Sequence, residues 1–215
     1  MGPSLIPVQR YCMAASGQPK RRMQTDPDLF PEDIQDAKDH DPGGRVRLRL
    51  AAGITSEAIF GGARNEYRYR LSRVWGPGDR VLFVLMNPST ADPLVDDPTV
   101  AKCGRLARRW GFDGLLVGNS FAYRATDQTR LSELPDPVGP DNDKHLLQMA
   151  REAALMVFAY GKPKRTSLRA RGPAVARMLA QVARPHVLRL SIDGTPSHPL
   201  YLPETLQPVY WPAAN

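Results

Sequence analysis

Three polar side chains stand out by where they fall. Asn87 and Asn119 each close an apolar run, in VLFVLMNPST and GLLVGNSFAYR, and His198 sits in TPSHPLY. An amide presents both a donor and an acceptor to a ligand. An imidazole exchanges a proton near neutral pH. Brought into one cleft, the three would orient a polar substrate. Each also has a plain reading: an Asn after a strand is a common turn former, and a His between prolines is often merely exposed. Their coincidence is what points to a site. Asp92, Asp96 and Asp97 form an acidic set that would suit Mg²⁺ or a general base. The better reading is structural: Asp97 before Pro98 reads as a helix cap. Arg124 and Asp127 are spaced to pair. KPKRTSLRAR carries Lys162, Lys164, Arg165, Arg169 and Arg171 with no acid, as a phosphate contact or a solvated loop would.

The elements that must position these residues follow from periodicity. Val81–Met86, GLLVGN, LMVFAYG and HVLRLSI are apolar runs of the kind found in strands buried on both faces. Between them, TVAKCGRLARRWGF, DNDKHLLQMAREAA and GPAVARMLAQVA carry a helical period. Asp141 or Asn142 is placed to cap the second helix and Pro173 suits the first turn of the third. This alternation predicts an α/β fold with a mostly parallel central sheet and helices on both faces. Ligands in such sheets bind beyond the carboxyl ends of the strands, where Asn87, Asn119, Lys162 and His198 would all fall. Upstream, RVRLRLAA alternates as a half-exposed strand. EAIFGG and NEYRYRLSRVW predict an antiparallel pair, the second alternating through Tyr67, Tyr69 and Leu71. Residues 1–44 carry a basic cluster (Lys20, Arg21, Arg22), then acids from Asp26 to Asp41, with no apolar period. They read as a tail or arm, and 45–215 as a single domain. Cys103 falls on the apolar side of the first helix and reads as core; His145 reads as exposed.

Composition narrows the classes. The chain has 215 residues, and Lys plus Arg exceed Asp plus Glu by seven. A basic surface favours polyanions, above all nucleic acid. No stretch approaches the ~20 apolar residues of a membrane span. Two cysteines make neither a disulfide framework nor a zinc set, and they exclude an iron–sulfur cluster. With no signal-peptide core at the start, a cytoplasmic protein is expected. There is no Gly-x-Gly-x-x-Gly and no Walker loop, so dinucleotide and P-loop readings fall away. No histidine pair has metal spacing, and no cofactor is expected.

The motifs VLFVLMNPSTAD, DPTVAKCGRLARRWGFDGLLVGNSFAYRATD, DPVGPDND and SHPLYL, in that order, resemble a bacterial and phage family known mainly as a domain of unknown function, over roughly residues 56 to 203. Their order is also similar to that of the uracil-DNA glycosylase superfamily. That resemblance implies a three-layer α/β/α fold. Leu85-Met86-Asn87-Pro88-Ser89 resembles the first motif of its mismatch-specific branch, Gly-Ile-Asn-Pro-Gly. GLLVGN resembles the strand whose Asn reads the base edge. His198-Pro199-Leu200 resembles a late His-Pro-Ser motif that enters the DNA minor groove.

The resemblance implies a monofunctional DNA glycosylase, with DNA as partner and no cofactor. The target nucleotide would be flipped from the stack. Asn87 would hold the attacking water, and His198 would donate to the base oxygen as it gains charge. Asn119 would read the Watson–Crick edge, and Phe121 or Tyr123 would stack on the base, Phe121 having an equal claim to the core. Two departures bear on the substrate. Uracil-specific members carry a Tyr that blocks C5 of the pyrimidine, where this chain has Ser89. A small residue there favours a C5-modified base, such as the hydroxymethylated or glucosylated cytosine of phage DNA, and hence a role in anti-phage defence. His-Pro-Leu replaces His-Pro-Ser; Leu200 and Tyr201 would then wedge into the stack or be buried. Two other classes stay open: a nucleotide or nucleoside enzyme using the same cleft with metal at the acidic set, and a non-catalytic nucleic-acid binder.

Overall fold

The computed structural model describes residues 9–13, for the backbone, and 46–212. The basic cluster at 20–22, the acidic run, His40 and the rest of the arm lie outside the described residues. Residues 9–13, grouped above with that arm, form a strand.

One eight-stranded sheet organises the domain. Its strands are β1 (Gln9–Met13), β3 (Thr55–Gly61), β4 (Tyr67–Val74), β5 (Arg80–Leu85), β7 (Gly114–Asn119), β8 (Leu155–Phe158), β9 (Pro185–Val187) and β10 (Val209–Tyr210). They run in the spatial order β1-β3-β4-β7-β5-β8-β9-β10. The expectation of a mostly parallel sheet is corrected. Pairing is parallel only across the centre, from β7 through β5 and β8 to β9. The flanks are antiparallel: β1–β3, β3–β4 and β4–β7 on one side, β9–β10 on the other. The sheet is mixed because the expected β3–β4 hairpin does not stand apart; β4 docks directly onto β7 and extends the α/β core. RVRLRLAA is corrected too: only β2 (Leu48–Arg49) pairs, with β6 (Val95–Asp96).

Among the described residues three α-helices cover the sheet: α1 (Pro98–Arg109), α2 (Asn142–Glu152) and α3 (Arg171–Ala180). Strand alternation divides the core. Val81, Phe83, Leu115 and Val117 pack with Val100, Cys103, Leu106 and Ala107 of α1. Leu82, Val84, Leu116 and Met156 pack with Leu146 and Met149 of α2 and Val175 and Leu179 of α3. Burial pushes the Cys103 thiol well up, as befits a core residue. His145 is corrected from exposed to buried: it stacks on Tyr69 with ring centroids 5.1 Å apart.

Local chemistry sets the helix that matters most here. Asp97 is its N-cap, accepting from the Val100 N–H at 2.9 Å, with Pro98 in the first turn. Asp141 sits at the cap of α2 without a side-chain bond. Asn142 is instead fully buried and donates to the carbonyls of Asn119 and Ser120, tying α2 to the end of β7.

Candidate functional site

A cavity of about 1120 Å³ lies beyond the carboxyl ends of β5, β8 and β9. The chain leaving β5 contributes Asn87, Ser89 and Thr90, and the loop after β7 contributes Ala125, Thr126 and Gln128. The end of β8 supplies Tyr160, Gly161 and Lys162, and the segment from Arg189 to Leu202 closes the ring. The first turn of α1, with Asp97, also lies on its wall. The strand ends therefore converge as parallel central strands require.

Asn87 is fixed by its own amide. Its Nδ2 donates to the carbonyls of Ala125 at 2.6 Å and Pro88 at 3.0 Å. Both hydrogens are engaged, so only the Oδ1 acceptor remains for a ligand. Ser89 Oγ and Thr126 Oγ1 lie 3.3 Å apart across the same wall. His198 is half-buried, and burial pulls its proton affinity below the ordinary 6.5. Its Nδ1 accepts from the Leu200 N–H at 3.3 Å. The ring is thus neutral at pH 7 with its hydrogen on Nε2, a donor for a ligand oxygen. Gly161 makes room for it: a Cβ there would lie 3.2 Å from His198 Cβ, and the φ of +68° is left-handed. The Gly161 N–H also bonds the Pro196 carbonyl at 2.9 Å, lashing the β8 exit to the His198 segment.

The other expected residues divide. Lys162 is on the wall and paired with Asp193, whose carboxyl that pairing and the Ser191 and Thr195 hydrogen bonds hold far below its usual range. Leu200 and Tyr201 are exposed at the cavity, with Leu190 and the fully exposed Ile192 beside them. Lys164 and Arg165 are exposed. Arg169 is exposed and Arg171 is partly buried. Arg169 Nε bonds the Pro163 carbonyl at 3.2 Å, and Arg171 pairs with Asp143 and donates to the Ser120 carbonyl.

Phe121 and Tyr123 do not reach the cavity. Phe121 is core, and Tyr123 packs edge-on against Tyr67, 5.8 Å between centroids. Asn119 is 1% exposed and is not on the wall; its Oδ1 accepts from Arg68 at 3.2 Å. Arg124 does not pair with Asp127. It lies 5.1 Å over the Phe60 ring, while Asp127 caps its own turn at Thr129.

The acidic set is spoken for. Asp92 pairs with Arg47 and accepts from the Leu94 and Val95 N–H groups, Asp96 pairs with Arg73, and Asp97 caps α1. Among the described residues no group of three or more His, Cys, Asp or Glu is arranged to hold a metal.

Some wall residues escape sequence reasoning. Arg68 is the chief one, fully buried on β4 and also on the wall. Tyr160 is another; burial pushes its hydroxyl up to about 12, so it stays protonated. Thr126, Gln128 and Arg189 carry no pattern that distinguishes them.

The class these features define is a mixed α/β domain with a large cavity at the carboxyl edge of its central strands. The chain belongs to a protein family of unknown function, DUF1643, whose model matches residues 68–200. No curated protein and no solved structure matches it. Among the described residues no helix is long and apolar enough to cross a membrane.

Proposed function

We propose that this protein is a monofunctional DNA glycosylase, of the uracil-DNA glycosylase type in fold and motif order, that flips out and excises a C5-modified pyrimidine to leave an abasic site. The observation that carries the reading is the pairing of Asn87 and His198 on one cavity wall, each locked in a single hydrogen-bonding sense. Asn87 offers an acceptor, which orients a water by taking one of its hydrogens. His198 offers a neutral Nε2–H, which stabilises a base oxygen as charge develops on it. Glycosidic cleavage needs both: a held nucleophile on the sugar side and a donor on the base side. Ser89 is a small residue on the cavity wall, which favours hydroxymethylated or glucosylated cytosine and a part in defence against phage. The excess of basic residues suits a DNA partner.

A nucleotide-processing enzyme is the second reading, favoured by a cavity of about 1120 Å³, ample for a whole nucleotide. It is weakened by the commitment of Asp92, Asp96 and Asp97 to structural partners.

The deciding experiment is base release from a panel of plain, uracil-containing, mismatched, hydroxymethylated and glucosylated DNAs, read by alkaline cleavage. Release from one substrate, lost in a folded Asn87→Ala protein, is expected. A blank panel with hydrolysis of free nucleotides would replace this reading with the second.

A further inference from the structure

Arg68 and Arg73 lie on the same strand and are both buried, 2% and 1% exposed, yet their surroundings differ. Arg73 is saturated. Its guanidinium meets the Asp96 carboxylate at 2.8 Å, the Ser56 hydroxyl, and the carbonyls of Ser72, Asp92 and Val95. Among the described residues Arg68 has two hydrogen-bond partners, both neutral: the Ala91 carbonyl at 2.8 Å and Asn119 Oδ1 at 3.2 Å. Its Nε has no partner, and no carboxylate of the described residues forms an ion pair with it. Asp97 exerts the strongest opposing charge, though without forming an ion pair with the guanidinium. Burial lowers the Arg68 guanidinium to about 10, which leaves it cationic at neutral pH. A buried cation without an ion-pair partner costs stability. Here the cost is carried on the wall of a cavity, where an incoming anion would relieve it.

We propose that Arg68 makes the inner wall of this cavity a receptor for a heterocyclic anion, and that this anion is the departing pyrimidine, an identity that rests on the glycosylase reading. In that reaction the bond from C1′ to the base nitrogen breaks and its electron pair stays on the base. The oxygen of water bonds C1′, and the proton that water sheds ends on the base nitrogen. Until that proton arrives, the base carries the negative charge. Arg68 opposes that charge from a low-dielectric wall, where a fixed cation acts most strongly. Its hold on Asn119 Oδ1 also fixes that amide.

Two pyrimidines of similar shape test this by calorimetry at pH 7.5: 5-nitrouracil, ionised there, and thymine, neutral. The wild-type protein should bind the anion at least tenfold more tightly. Arg68→Met should abolish the preference and Arg68→Lys retain part of it, with circular dichroism reporting the fold. Equal binding by the wild type overturns the proposal without any variant. So does a preference that survives in folded Arg68→Met. An Arg68-dependent preference with a blank base-release panel keeps the anion site and removes the glycosylase reading. Base release without the preference does the reverse.

Discussion

Replacing Asp97 separates two roles held by one side chain. It caps α1 through the Val100 N–H, and its carboxylate is a charge on the cavity wall. Asn caps a helix about as well as Asp, whereas Ala forfeits about 1 kcal/mol. Both substitutions remove the charge, and with it ~0.3–1 kcal/mol of attraction to the helix N-terminus and the pull on Arg68. Both variants should therefore melt below the wild type. The gap between them isolates the cap: about 1 kcal/mol, or ~2–4 °C in Tm for a chain of this length. The same carboxylate raises the proton affinities of His198 and Arg68 against the burial that lowers them. Asp97→Asn should therefore move the His198 titration still lower. Scanning calorimetry of the three proteins and an NMR titration of the His198 ring supply the two readouts. Coincident melting of the Asn and Ala variants would refute the capping role. An unmoved His198 titration would refute the electrostatic one.

His198 predicts a pH dependence with a definite sign. Its folded proton affinity lies below 6.5, so as pH falls the unfolded chain takes the proton first. Its contribution to stability is complete above pH 6.5 and is lost as pH falls through the lower folded value. Denaturant titrations of wild type and His198→Gln should diverge in stability above that window and converge below it; a parallel offset at every pH would contradict the assignment. Gly161→Ala forces a left-handed residue, costing ~1–2 kcal/mol, and pushes on His198. It should lower Tm and shift the His198 ring resonances together, and unchanged resonances would show that the close approach does not constrain the imidazole.

Much of the framework was legible because it rests on short-range rules. Apolar runs mark β5, β7 and β8, and the helical period marks α1, α2 and α3 to within about three residues. Asp97-Pro98 marks the start of α1. Asn87 and His198 could be brought together on paper because strand ends in parallel sheets share an edge. The pairing direction of the flanks was not legible, since it depends on β4 docking on β7, a contact between residues some forty positions apart. Asn119 followed the right rule to a different outcome. It does end a strand, but Arg68 stands against it and takes its acceptor.

Arg68 itself shows what periodicity withholds. In YRYRLSRV, strict alternation sets Tyr67, Tyr69 and Leu71 on one face and Arg68 on the other, wet one. The β3–β4 ladder breaks that count: Phe60 pairs with Arg68 but Ile59 with Arg70, so β4 holds one extra residue at Tyr69. A bulge of this kind reverses the faces beyond it. Tyr69 turns toward His145 of α2, while Leu71 joins the core under α1. Arg68 and Arg73, five positions apart and so opposite by simple alternation, both meet the segment between Ala91 and Asp96. That segment covers the face that alternation assigns to solvent. Of the two arginines it buries, it neutralises Arg73 with Asp96 and leaves Arg68 facing neutral oxygens at the cavity. The asymmetry has a functional meaning only if the cavity receives an anion, so the calorimetric preference for an ionised pyrimidine bears on a cost built into the fold as well as on its chemistry.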